Sequence, residues 1–258
     1  MLKLANQIVF ITGASSGIGR ACARAFAQEG ARLLLAARRV DRIGADTPGL
    51  KKLGAADARV LALDVRDAQA VFHAVETLPE DWKSIEVFIN NAGLSRGLDK
   101  LHEGRLEDWN EMIDVNVKGL LHVDRAVVPL MVARGRGTVI HTGSLAGRQV
   151  YPGGNVYCAT KHAVRALTEG LRLNLLGTGV RVTSIDPGLV AETEFSEVRF
   201  RGDRERAASV YKGMTPLTSD DVAEVVVFAA TRPAHVSIAE VLLLPTDQAS
   251  ATHVHRRS

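Results

Sequence analysis

The run Thr12-Gly13-Ala14-Ser15-Ser16-Gly17-Ile18-Gly19 stands between an apolar run, Gln7–Ile11, and a stretch with helical periodicity, Gly17–Gln28. No other feature narrows the fold of this chain as much. Glycines let a backbone turn sharply out of a strand and come close to another group. The helix that follows presents unpaired N–H groups and the positive end of its dipole to that turn. The spacing is G-x-x-x-G-x-G rather than G-x-G-x-x-G, and three glycines alone fit a plain strand-to-helix turn as well. Their place between strand and helix makes Gly13, Ser15, Ser16, Gly17, Ile18 and Gly19 candidate contacts for the pyrophosphate of a dinucleotide.

The rest of the chain repeats the alternation. Short runs rich in Val, Ile and Leu predict strands at Gln7–Ile11, Arg32–Ala36, Arg59–Leu63, Ile85–Asn90, Thr138–Thr142, Val180–Ile185 and Glu240–Leu244. Continuous apolar runs suit strands buried on both faces, as in a parallel sheet. Helical stretches lie between them at Gly17–Gln28, Ala68–Thr77, Leu106–Val132, Val156–Leu176 and Ser219–Ala230. Thr47-Pro48-Gly49 interrupts the stretch after the second strand, which predicts two short turns or a loop there, and Pro129 predicts a kink or an end to its helix. The expected fold class is α/β. Residues 1–258 form a single dinucleotide-binding and catalytic domain, a Rossmann-type doubly wound sheet of about seven parallel strands with helices on both faces.

Composition agrees with a globular enzyme-sized domain. The 258 residues are 46% hydrophobic and 24% charged, a balance that excludes a disordered or fibrous chain. A net charge of +3, with 32 basic against 29 acidic residues scattered along the chain, implies no nucleic-acid partner. No apolar run reaches the ~18 residues of a membrane span, and the N-terminal residues lack a signal-peptide core. Cys22 and Cys158 make no disulfide framework, so the expected setting is cytoplasmic. The eight histidines show no metal-ligand spacing, so no metal is expected; His253-x-His255 reads as a polar tail.

The end of the second strand selects between cofactors. An acid roughly 20 residues beyond the glycines bonds the ribose hydroxyls of NAD. Here Arg38 and Arg39 occupy that place, and a guanidinium grips a 2′-phosphate where a carboxylate would repel it. Two arginines also suit a solvated loop, and Asp41 is close enough in sequence to reach back to the ribose. The balance favours NADP. After the third strand, Asp64 and Val65 are candidates for the adenine edge, although Asp64 beside Asp67 also reads as a helix N-terminal acid.

Tyr157 and Lys161 stand four residues apart, which puts a phenol and an ammonium on one helical face. A nearby lysine favours the phenolate and brings a tyrosine toward proton transfer at working pH. Ser144, just past the fifth strand, is placed to polarise a carbonyl or hold developing negative charge on oxygen, or to form a simple turn.

These residues together resemble the short-chain dehydrogenase/reductase family. The resemblance is carried by the glycine run at 12–19, Asn90-Asn91-Ala92-Gly93, Asn116, Ser144, Tyr157, Lys161 and Pro187-Gly188, in the family's order and over almost the whole chain. It implies that Tyr157 is the general acid/base, that Lys161 lowers its pKa and binds the nicotinamide ribose, and that Ser144 orients the carbonyl. It also implies that the Asn116 backbone holds a water, that Asn91, Ala92 and Gly93 line the cofactor, and that Pro187, Gly188, Val190 and Thr193 cradle the nicotinamide amide.

Further segments are similar to the NADP-dependent 3-hydroxy acid dehydrogenases of that family, also called serine or L-allo-threonine dehydrogenases. They include Leu78–Trp82, Asn155–Tyr157, Asp186–Val190, Thr193–Phe200, Pro233–Val236 and His253–Arg256. The chain departs from that group at Pro48-Gly49, Cys158 and Arg148. The likeness implies a small-molecule substrate with a carboxylate and a homotetramer. Arg199 is the first expected cation for that carboxylate and Arg148 the second, with Arg201 a further candidate, and any of the three also suits a solvated surface. The competing readings are a reductase of bulkier ketones and a non-enzymatic nucleotide sensor on the same fold; the Ser144–Tyr157–Lys161 set argues against a sensor.

Overall fold

The computed structural model describes residues 2–257; Met1 and Ser258, the ends of the expected domain, lie outside the described residues. Seven strands form one sheet: β1 (Ile8–Thr12), β2 (Arg32–Ala37), β3 (Asp57–Ala62), β4 (Ile85–Asn90), β5 (Gly137–Thr142), β6 (Val180–Pro187) and β7 (Glu240–Leu243). Their order is β3-β2-β1-β4-β5-β6-β7 and every pairing is parallel. Strand order reverses between β1 and β4, so the crevice for a ligand opens at their carboxyl ends. The central strands β1, β4, β5 and β6 are almost wholly buried, as their apolar runs require, whereas the edge strands β3 and β7 are half-exposed.

Two cores flank the sheet. On one face pack α1 (Gly17–Gln28), α2 (Val40–Leu53) and α9 (Ser219–Ala230), burying Cys22, Phe26, Ile43 and Val226 against Ile11 and Leu35. On the other pack α3 (Ala68–Glu76), α4 (Leu106–Ile113), α5 (Leu120–Arg134) and α6 (Asn155–Asn174), with Phe10 stacked on Phe88 at 5.4 Å between ring centroids. Thr218 opens α9 with a reciprocal capping box to Asp221, which explains a helix start legible in the sequence.

Three helices depart from expectation. α2 runs unbroken through Pro48. A proline removes one N–H and crowds the carbonyl four residues back, which here is Gly44. Gly44, Pro48 and Gly49 all face solvent, so water can bond the released carbonyl, while Ile43 and Leu50 anchor the inner face. Gly54, in the left-handed region with φ +118°, caps the end. Likewise α5 continues past Pro129 to Arg134, because Pro129 and Arg125 both lie on the solvent side. The stretch expected as one helix over 106–132 is α4 and α5 joined by a wide π turn, Asp114–Gly119, which contains Asn116. Two short helices escaped the sequence reading, α7 (Phe195–Arg199) and α8 (Arg204–Ser209).

Candidate active site

A cavity of about 570 Å³ opens at the carboxyl ends of the strands, beside the reversal in strand order. Its floor is the turn from β1 into α1, where Gly13 and Gly17 have φ of +67° and +50°. A Cβ at Gly19 would lie 2.7 Å from Asn91 Nδ2 and closer still to the Gly13 carbonyl oxygen, so this helix turn packs with no room for a side chain. Gly13, Ser15, Ser16, Gly17 and Ile18 line the cavity, while Gly19 stands behind it.

Backbone bonding holds the adjoining loop. Thr12 Oγ1 accepts from the Asn91 and Ala92 amides at 2.9 and 3.1 Å, and Asn91 Nδ2 donates to Thr12 O at 3.0 Å. Asn91, Ala92 and Gly93 line the cavity. Asn116 is buried behind them and clamps Leu94 from both sides: Oδ1 accepts from its amide and Nδ2 donates to its carbonyl, each at 2.8 Å. The π turn aims the Asn116 side chain at that loop; such turns often mark functional positions.

Arg38, Arg39, Asp64 and Val65 all line the far end of the cavity. Arg38 has no carboxylate partner among the described residues, whereas Arg39 Nη2 pairs with Glu194 Oε2 at 2.5 Å and reaches Ser16 Oγ at 3.3 Å. Asp64 is held by Arg66, whose bonds keep its carboxyl below the usual carboxylate range. Asp41 does not reach the cavity.

At the near end stand Ser144, Tyr157 and Lys161. Ser144 follows β5 and caps a short 3-10 turn, its Oγ accepting from the Ala146 amide at 3.1 Å. Tyr157 and Lys161 project from the first turns of α6 and are both buried. Lys161 Nζ donates to Thr142 O at 2.8 Å, and burial pushes its pKa down to about 8. Burial, then the neighbouring Tyr151, push the Tyr157 phenol up; Arg199 and the Ser144 hydroxyl pull it down. Arg199, whose guanidinium packs against the Tyr157 ring, is thus a second cation beside the phenol, one that the spacing of Tyr157 and Lys161 did not reveal.

Arg199 is buried on the cavity wall. Its Nε donates to Ser95 Oγ at 3.0 Å and its Nη2 to Tyr151 Oη at 2.9 Å. The guanidinium carbon lies 5.3 Å from the Tyr157 ring centre and 4.8 Å from that of Phe195. No carboxylate pairs with it among the described residues. Arg148 is a correction. Its guanidinium bonds Asp186 at 2.7 Å and Glu240 at 2.5 Å, away from the cavity, because two carboxylates on β6 and β7 draw it behind the sheet edge. Arg201 is taken likewise by Asp108.

Pro187, Gly188, Val190 and Thr193 line the cavity. Sequence reasoning missed Tyr151, Phe195, Tyr211 and Gln248 on its walls. All three tyrosines of the chain face this one cavity, a signal that composition offered.

Comparisons with known proteins agree with this geometry. The family model described as short chain dehydrogenase matches residues 7–203. The chain is 46% identical over 251 residues to the NADP-dependent 3-hydroxy acid dehydrogenase YdfG of Salmonella typhi, covering 97% of this chain and 100% of the relative. It is 42% identical over 258 residues to the NADP-dependent 3-hydroxy acid dehydrogenase of Schizosaccharomyces pombe, covering 100% and 99%. Among solved structures, the closed form of serine dehydrogenase complexed with NADP+ superposes with a TM-score of 0.91 at 43% identity, covering 97% of this chain and 100% of that one. The chain belongs to the short chain dehydrogenase family.

Proposed function

We propose that this protein is an NADP-dependent dehydrogenase that oxidises the 3-hydroxyl of small hydroxy acids, such as serine, allo-threonine, 3-hydroxyisobutyrate and 3-hydroxypropionate, or reduces the matching semialdehydes. Arg199 carries the substrate reading. A buried guanidinium without a carboxylate is costly, and an anionic ligand relieves that cost. Its place 5.3 Å from the Tyr157 ring holds a carboxylate within a few bonds of the reacting oxygen.

The site fits a dinucleotide phosphate. The cradle left by Gly13, Gly17 and Gly19 has no room for side chains, and Arg38 is a cavity-facing cation without an acidic partner. Relatives named as NADP-dependent and a neighbour complexed with NADP+ support the same choice. When bound, the nicotinamide supplies or accepts the hydride. Tyr157 Oη gives a proton to the substrate oxygen in reduction and takes it in oxidation. The raised pKa of the buried phenol suits the donating form, so oxidation quickens as pH rises and more phenolate forms. Ser144 Oγ steadies the charge developing on that oxygen. Lys161 lies next to Thr142 and Gly93 and is placed to hold ribose hydroxyls.

The resemblance also implies a homotetramer, and the cysteine usage fits a reducing cytoplasm. Two unpaired buried thiols, Cys22 and Cys158, and exposed apolar residues, Leu121 on α5, Leu173 on α6 and Leu176 just beyond it, support that reading. Light scattering tests the subunit count. The substrate reading is tested by following NADPH absorbance with 3-hydroxy acids, their methyl esters and larger alcohols. A strong preference for the free acids is expected; esters turned over as well as acids would remove the hydroxy acid reading.

A further inference from the structure

The segment after β6 crosses the cofactor cradle. Thr193 lies directly over the glycine turn: a Cβ on Gly17 would meet its Cβ and Cγ2 at 3.3 Å. The next residue, Glu194, reaches across to the turn between β2 and α2 and pairs with two arginines. Oε2 bonds Arg39 at 2.5 Å and Oε1 bonds Arg42 on α2. These bonds keep its carboxyl ionised, with the pKa held down to about 2. Just before it, Glu192 sits in the left-handed region with φ 57°, a sharp bend that starts the crossing.

The other end of this crossing is fastened separately. Arg96 Nη1 donates to Val198 O at 2.7 Å, Gly97 N to Arg199 O at 3.0 Å, and Arg201 pairs with Asp108. Residues 193–201 thus form a bar across the cavity mouth, with α7 as its middle and Arg199 on its underside. One end is fixed to the loop after β4 and to α4. Glu194 fastens the other end to the cofactor side.

We propose that Glu194, through Arg39 and Arg42, is a latch that retains the bound dinucleotide by holding this bar down over the pyrophosphate cradle. The inference rests on the cofactor reading above. It makes Glu194 a positioning residue: the carboxylate acts through the bar. Release of the dinucleotide requires the latch to open, and opening it also loosens the element that carries Arg199.

The test is the dissociation rate of NADPH and of NADH, followed by stopped-flow fluorescence in the unmodified protein, Glu194→Gln and Arg42→Gln. Arg42 does not line the cavity, so its substitution weakens the latch without touching the ligand. In Glu194→Gln, release of both nucleotides should quicken roughly three- to tenfold, the range available to two partly exposed ion pairs. Arg42→Gln should give a smaller change in the same direction. Added salt should speed NADH release, which involves no 2′-phosphate, more in the unmodified protein than in Glu194→Gln. Release at an unchanged or slower rate in both variants overturns the latch. So does slower NADPH release with NADH unchanged, since that is the signature of a carboxylate that merely repels the 2′-phosphate. If the unmodified protein binds neither nucleotide, the cofactor reading fails before the latch is reached.

Discussion

The two walls of the cavity are built by different means. The cofactor wall is mostly backbone: the turn at 13–19, the ends of β1 and β4, and the amides of Asn91 and Ala92 gathered on Thr12 Oγ1. The substrate wall is mostly side chains drawn from distant places: Leu98 after β4, Tyr151 before α6, Phe195 and Arg199 on α7, and Tyr211 beyond α8, with Ser95 bracing Arg199 from behind. A wall of backbone tolerates few residue types, because a close approach or a positive φ demands glycine. A wall of side chains is specified only when the fold brings its parts together, and each part alone has an ordinary surface role. The first kind is therefore readable from local sequence and the second is not.

The sharpest way to test the seam between the walls is Tyr157→Phe. The phenol moves a proton but does not line the pyrophosphate cradle, so turnover should fall by roughly 10²–10⁴ or more. NADPH affinity should stay within a few-fold, as measured by fluorescence titration. Retention of a tenth or more of kcat would remove Tyr157 as acid/base.

Next in size is Arg199→Gln, which strikes the substrate wall alone. A charge-assisted hydrogen bond contributes about 1.5–3 kcal/mol, or about one to two decades in kcat/KM. The loss should be much larger for free acids than for their methyl esters, which feel only the weaker pull of Arg199 on the Tyr157 phenol, so the acid preference collapses. An equal loss for acid and ester would instead mean that Arg199 only braces Tyr151 and Ser95.

Gly19→Ala strikes the cofactor wall. The new Cβ meets the Gly13 carbonyl and Asn91 Nδ2, neither of which can withdraw without disturbing the turn. Such overpacking costs ~1–3 kcal/mol, so the thermal midpoint should drop and NADPH binding should weaken together. A variant as stable as the parent that still bound NADPH normally would show that the turn has slack.

How far the sequence could be read follows the same division. β4, α1 and α9 lie where apolar runs and helical periodicity placed them, because their signals are local. α2 was misjudged since Pro48 is disruptive only where its neighbours cannot turn to water, and burial at position 44 or 48 is a property of the folded surface. Arg199 is the first candidate from sequence and Arg148 the second, but both read there only as arginines near the expected pocket. What separates them is Asp186 and Glu240, which β6 and β7 bring beside Arg148, and the absence of any such carboxylate near Arg199 among the described residues. Tyr151 and Tyr211 carried no local signature, and α7 and α8 are too short for a period to show.

The smallest effect lies between the walls, at Lys161, and appears in stability rather than turnover. Its amine has a folded pKa of about 8 against an ordinary value of 10.5, because burial disfavours the charge. Below about 8 both folded and unfolded chains hold the proton, and the cost of the buried ammonium is present in full. Between about 8 and 10.5 the folded chain has released a proton that the unfolded chain keeps, so stability of the cofactor-free protein rises with pH. The contribution is at most ~1.4 kcal/mol per pH unit. Tyr157 opposes it only at higher pH: its raised pKa leaves the folded phenol protonated where the unfolded one ionises, so that share of stability falls as pH climbs above 10. Urea unfolding of the cofactor-free protein between about pH 8 and 10, compared with Lys161→Met, isolates the lysine, since other groups cancel in the difference. The parent should gain stability relative to the variant across that interval. A constant difference would mean that Lys161 keeps its charge through the range, held by Thr142 O and the nearby Asp186 rather than disfavoured by burial.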